Sequence, residues 1–312
     1  MESMNSALDQ DFYIFITVVT AIFLEAAPFL LLGALVSSFL EVYCPQDRIG
    51  KFLPKGRITG VLFGLGAGML LPTCECGVVP IVRRLLLKNV PAHVAAAYML
   101  AAPVINPIVL VSTYVAFRGD IWMVLGRVGV VALTAVTGGL WLGRMDPLLL
   151  VPHGEHDHIG HQGSDLDCDC GLDHEGGSQP RFIGALAHTA WEFLDMGKYL
   201  ILGCLAAGLI KTFLPSTILT VFESNLFLAV AGMMLLAIIV SVCSEADSFV
   251  AASFWSFPKA AQLSFITIGP MVDLKLIMMY TGVFRRRVVF VLVILPTLVV
   301  FIVSTLLGTI AG

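Results

Sequence analysis

Eight stretches of this chain are long and apolar enough to cross a bilayer, and that requirement constrains the fold more than any other pattern in it. A hydrocarbon core about 30 Å thick takes roughly 20 apolar residues per helix. Phe12 to Leu40 carries one charge, Glu25; Ile58 to Val82 carries Glu75; Pro91 to Phe117 carries none; Ile121 to Leu142 carries Arg127. After a polar interval, Leu186 to Ile210 contains Glu192, Asp195 and Lys198. Asn225 to Cys243 is uncharged, Ala260 to Val283 contains Asp273 and Lys275, and Val288 to Ala311 is uncharged. With 58% hydrophobic and 13% charged residues against about 25% charged in soluble domains, a water-soluble globule is excluded.

The net charge of -4 conceals two regions of opposite character. Between Met145 and Pro180 lie eight acids and no Lys or Arg, so the remainder carries +4. The same segment holds His153, His156, His158, His161, Cys168, Cys170 and His174. Short Cys/His-rich tracts read as metal binding. No fixed finger spacing is present, which predicts a collecting or sensing loop rather than a folded zinc domain. Basic residues are scattered around the apolar spans, so nucleic acid is not an expected partner; the lipid bilayer is, and a homo-oligomer is compatible with the pattern.

The two groups of four stretches resemble each other at an offset of 167 residues. Glu25 falls on Glu192, Pro91 on Pro258, Pro103 on Pro270, Asn106 on Asp273, and Phe117-Arg118 on Phe284-Arg285. The expected fold is therefore an all-α membrane protein of about eight transmembrane helices. It would form two parallel four-helix repeats, residues 1–144 and 182–312, joined by a hydrophilic loop at 145–181. Four crossings per half leave both halves in one orientation. With eight crossings, nine basic residues fall on the side opposite the termini and six on the terminus side. The excess of cytoplasmic Lys and Arg then puts the termini and the 145–181 loop outside, in the periplasm of a bacterial plasma membrane.

Two polar motifs interrupt the apolar pattern. Pro72-Thr73-Cys74-Glu75-Cys76-Gly77-Val78-Val79-Pro80 predicts a helix break at mid-membrane depth, tolerated only where protein or a water-filled cavity surrounds it. Cys243-Ser244-Glu245-Ala246-Asp247-Ser248 stands at the corresponding place in the second half. Thiols select copper, zinc and other thiophilic ions. Intramembrane ionisable groups mark pathways or paired interior groups, which adds Asn106 and Asp273. Glu192, Asp195 and Lys198, spaced by three, read equally as a self-neutralised cluster or a proton relay. Arg127 either reaches the interface or pairs with an acid. No phosphate loop is present to couple ATP. The absence of C-x-x-C counts against a thiol oxidoreductase, and no enzymatic activity or required cofactor is expected.

At Cys74-Glu75-Cys76-Gly77-Val78-Val79-Pro80 with Arg83-Arg84, Leu100-Ala101-Ala102-Pro103-Val104-Ile105-Asn106-Pro107, and Cys243-Ser244-Glu245-Ala246-Asp247, the sequence resembles the ArsP-like permeases over nearly its whole length outside the insert. The resemblance implies an inner-membrane permease of eight spans. One branch exports trivalent organoarsenicals; another, with a Cys/His-rich central loop, resembles a copper and zinc efflux transporter, and His153 to His174 bring this chain nearer the second. Glu75 stands between the cysteines where the commoner motif has a small residue, which favours a cation over neutral methylarsenite. The expected function is efflux of copper or zinc as bound substrate. The site would comprise Cys74, Glu75, Cys76 and Cys243, with Glu245, Asp247, Asn106 and Asp273 as further ligands or proton carriers. Organoarsenical efflux and a membrane-anchored metal sensor are the alternatives.

Overall fold

A computed structural model describes residues 2–43, 54, 56–71, 73–144, 181–213 and 225–311. All regular structure among them is helical: α1 (Glu2–Tyr43), α2 (Arg57–Leu70), α3 (Glu75–Leu87), α4 (Ala92–Ala101), α5 (Pro107–Ala116), α6 (Ile121–Leu142), α7 (Arg181–Phe213), α8 (Leu226–Val240), α9 (Asp247–Ser253), α10 (Lys259–Ile268), α11 (Leu274–Val283) and α12 (Arg286–Ala311). Four of them, α1, α6, α7 and α12, are long and apolar enough to cross a membrane. Their outward sides expose large apolar residues, among them Trp122 and Leu298, as lipid-facing helices do.

Local chemistry explains where the short helices begin. Pro91 and Pro258 precede α4 and α10 with nearly the same backbone angles, φ -56 in both. Proline lacks the N–H that a first turn leaves unsatisfied in any case. Asn106 and Asp273 cap α5 and α11, each side chain accepting from a backbone N–H three residues on, at 2.9 Å and 2.6 Å. The P-x11-P-x2-[N/D] pattern is thus a pair of helix starts separated by a break. α4 and α5 run in sequence alongside α6: His93 packs on Gly139 and Gly143 at one end, and Thr113 meets Arg127 towards the other.

The stretch from Ile58 to Val82 folds back instead of crossing. Gly60 packs on His93, Gly64 on Ala97, and Gly68 on Ala101 and Ala102, so α2 descends beside α4 to its break. There Thr73 meets the Tyr98 hydroxyl at 3.4 Å. α3 then returns, for Val82 and Leu86 line a small cavity with Ala92, Ala96 and Leu142. The second half repeats the hairpin from the other face. Leu226, at the start of α8, meets Gly308 beside Ala260, while Ala237 reaches Gly269 near the break of α10 and α11. α9 leads back, and Phe254 just past its end accepts from Gln262 on α10.

The expected parallel arrangement of halves is therefore corrected. α1 and α7 correspond at the repeat offset, yet they run antiparallel. Gly208 packs on Phe15 and Val19. Near the other end, α3 bonds to both helices, through Ser37 to the Pro80 carbonyl and through Arg84 to Glu192. The physical reason is the re-entrant hairpin, which leaves an odd number of crossings per half and so inverts the second. A second correction follows. The chain leaves at Arg144 and returns at Arg181 on the face of His93, whereas Phe15 and Gly308 lie towards the opposite face. The ends of the 145–181 loop and the chain termini are not on one side. The polar surface on the terminus face includes Asp120, whose carboxyl the Lys259 hydrogen bond holds below its ordinary range.

Close helix approach sets the hairpins in place. A Cβ at Gly33 of α1 would stand 2.5 Å from the Gly77 Cα of α3, and one at Gly203 of α7 would stand 2.5 Å from the Lys275 Cα of α11. Backbones meet there because neither glycine has a side chain. Gly33→Leu is expected to destabilise the detergent-solubilised protein by about 1–3 kcal/mol through overpacking, seen as a lower thermal midpoint. Gly66→Leu, where open space surrounds the Cβ position, should leave the midpoint near wild type.

Candidate functional site

The two re-entrant tips meet at the middle of the protein. α2 ends at Leu70, and Cys74 caps α3, its sulfur accepting from the Gly77 amide at 3.4 Å. Glu75 is the first residue of α3 and 1% exposed. In the second half α8 ends at Ser241, a left-handed residue with φ 49, and the chain passes through Cys243, Ser244 and Glu245 before Asp247 opens α9. The breaks predicted at both Cys motifs are present, and their side chains are turned inward.

Burying carboxylates at this depth requires partners, because one left unpaired costs several kcal/mol. Glu75 takes its partner from the other half: Lys275 Nζ stands 2.9 Å from Oε1. The same ammonium lies 3.5 Å from Asp273 Oδ2 and donates to the Ser241 carbonyl at 3.4 Å. Asp247 takes its partner from the first half. Arg127 donates to both of its oxygens, at 3.2 Å and 2.9 Å, and to Thr113 and Ser248 at 2.9 Å each. Arg127, Lys275, Glu75, Asp247 and Asp273 are all at most 1% exposed. The carboxylates therefore stand at related places in the two halves, whereas the cations do not: one is on α11 and the other on α6.

Of the residues singled out from sequence, Glu75 and Asp273 face the Lys275 ammonium, and the Cys76 and Cys243 thiols are buried at the two Cys-motif breaks. Ser244 Oγ stands 3.5 Å from Glu75 Oε2 and 3.3 Å from Glu245 Oε2, linking Glu245 to the cluster. Asp247 is held apart by Arg127, and Asn106 bridges the break it caps, donating to the Ala102 carbonyl at the end of α4 and accepting from the Val109 N–H of α5. Cys74, Cys76, Cys204 and Cys243 are free thiols. Among the described residues no three His, Cys, Asp or Glu side chains are grouped so as to hold a metal ion. His153, His156, His158, His161, Cys168, Cys170 and His174 lie outside the described residues.

The cations that pair with these carboxylates, Lys275 and Arg127, were not among the site residues expected from sequence. The signal was an unexplained cation in an apolar span, but nothing in the sequence said which acid each would meet. Glu192, Asp195 and Lys198 resolve as a charge cluster nearer the insert face: Lys198 pairs with Asp195 at 2.6 Å, and Arg83 and Arg84 reach Asp195 at 3.3 Å and Glu192 at 3.6 Å.

A family model described as ArsP_1, a predicted permease, matches residues 12–309. A Streptococcus mutans protein, named as a candidate subunit of a two-component membrane permease complex, is 39% identical over 290 residues, 92% of this chain and 93% of its own. The UPF0718 protein YcgR of Bacillus subtilis is 39% identical over 277 residues, 88% of this chain and 90% of its own. No solved structure matches significantly.

Arg127→Met should leave Asp247 buried and unpaired and lower stability by about 3–5 kcal/mol. The double variant R127M/D247L, which removes both charges, should regain most of that loss. Thermal unfolding of the purified proteins in one detergent checks both.

Proposed function

The chain belongs to the ArsP_1 family of predicted permeases, and we propose that this permease exports a soft metal cation, copper or zinc, through the centre where the two hairpin tips meet. The observation that carries the reading is the buried centre in which Glu75 and Asp273, from helix breaks of opposite halves, face one ammonium, with the free thiols of Cys76 and Cys243 buried at the Cys-motif breaks. Thiols supply softness, and carboxylates supply negative charge that a neutral substrate would not need. Two inverted halves, 1–144 and 182–312, suit alternating access by rocking of one against the other around a fixed centre. In this reading Glu245 and Cys74 join the ligands as the tips move, and Asp247, Asn106 and Asp273 line the route. The Streptococcus relative's description supports a second membrane subunit as partner.

Orientation follows from the basic residues once the hairpins are taken as re-entrant. On the insert face stand Arg57, Arg83, Arg84, Lys88, Arg144, Arg181, Arg285, Arg286 and Arg287, against Arg118, Lys211 and Lys259 on the terminus face. This asymmetry is far steeper than the count with eight crossings, and cytoplasmic loops carry the excess of Lys and Arg. The insert face is cytoplasmic and the termini lie outside. His153 to His174 then meet cytoplasmic metal, where a collecting segment serves export.

Flux of copper(I), zinc and methylarsenite into proteoliposomes, with and without a pH gradient, tests the substrate. Copper or zinc flux that Cys76→Ser lowers at least about tenfold, at unchanged protein abundance, is the expected result. Flux of methylarsenite alone would replace it with the organoarsenical reading. No flux, combined with loss of metal-dependent signalling on deletion of 153–174, would favour a sensor. For orientation, a reporter that fluoresces only in the cytoplasm should be bright when inserted after Gly163 and dark when fused after Gly312; the reverse pair would invert the topology.

A further inference from the structure

We infer that Lys275 is a tethered counter-cation. Its ammonium occupies the seat that the transported cation takes, and the substrate binds by displacing it. The inference rests on the proposed cation export and deepens it by naming what holds the seat when substrate is absent.

The geometry of the ammonium is that of a bound cation. An ammonium has three donors, and three acceptors surround this one: Glu75 Oε1 at 2.9 Å, the Ser241 carbonyl at 3.4 Å and Asp273 Oδ2 at 3.5 Å. They come from three elements, the first turn of α3, the end of α8 and the cap of α11. The Ser241 carbonyl is available because the helix ends there in a left-handed turn. Two carboxylate oxygens and a freed carbonyl are a cation's ligand set, and the Cys76 and Cys243 thiols are buried at the adjoining helix breaks.

The charge balance around Lys275 is unfinished. Glu75 and Asp273 face one ammonium, and Glu245 is linked to Glu75 through Ser244. Arg127 is engaged elsewhere, its two terminal nitrogens bonding Asp247, Thr113 and Ser248. Asp273 is fully buried, and its Oδ2 meets the ammonium at 3.5 Å, beyond the usual length of a charge-assisted hydrogen bond. A purely structural ion pair is expected to close that gap, since an under-satisfied buried carboxylate oxygen is costly. A divalent ion in place of the ammonium brings the second positive charge and a ligand bond to that oxygen. Gly203 fixes the Lys275 backbone against α7, so the change falls to the flexible four-carbon stem.

Zinc binding to the full-length protein in detergent, measured by calorimetry on wild type, K275M, K275R and E75Q/K275M, tests the inference. The insert contributes the same background to each. K275M should hold one zinc more than E75Q/K275M, and hold it on the order of a hundredfold more tightly than wild type, while K275R stays at the wild-type level. Equal binding in all four overturns the inference, as does an extra site that survives in the double variant. If K275M does not fold, wild type answers instead. Saturating zinc should raise acylation of Lys275 by a small amine reagent at least about fivefold, read by peptide mass; equal labelling with and without zinc overturns the displacement. These outcomes separate from flux. A protein that transports zinc but fails them keeps the proposed function without the displacement, and one that passes them without flux keeps the seat and loses the transport.

Discussion

Two ion pairs, each joining a hairpin tip of one half to a cation of the other, hold the centre of this protein together. Glu75 to Lys275 and Asp247 to Arg127 lie where no water competes, and each group is at most 1% exposed. Attraction between charges strengthens as the surroundings become less polarisable, and so does the penalty for leaving one unmatched. The halves cannot separate at these points without exposing four charges. That same cost makes the pairs sensitive to anything that supplies a substitute charge.

The pairs are possible only because the helices break. A continuous helix offers no backbone acceptor in mid-membrane, whereas a broken one frees carbonyls and amides that must be satisfied locally. Cys74, Asn106 and Asp273 do this at three starts by accepting backbone N–H groups, and the Ser241 carbonyl does it at one end by accepting from Lys275. Gly33 and Gly203 then let α1 and α7 press against the two sides of the centre. Caps, close approaches and charge pairs are thus one construction, at the centre of a chain that belongs to a family of predicted permeases.

Much of the scaffold was legible in the sequence. Pro91 with Asn106, and Pro258 with Asp273, were legible as marks of a repeat, and they stand at helix starts by chemistry that acts within three residues; the break inside each of these stretches, read as a single span, was not expected. The break at Cys74 was legible from its prolines and glycine, and the break at Cys243 by correspondence. The direction taken after each break was not. Hydropathy measures whether a stretch belongs in lipid, and a hairpin that enters and returns belongs there as much as one that crosses. Taking Ile58 to Val82 as a crossing put the insert and the termini on one side and made the halves parallel. One local decision carried both errors.

The sequence by itself determined that the chain enters the bilayer, that it breaks at its two Cys motifs, and which polar groups are buried in its middle, because apolar length, proline and desolvation act on short segments. Only the tertiary structure decided that the two halves are inverted and that Lys275 meets Glu75 across 200 residues of chain while Arg127 meets Asp247 across 120. Partner choice between buried charges depends on which backbones approach, and those approaches, set at Gly33 and Gly203, are made by residues distant in sequence whose contact no local pattern encodes.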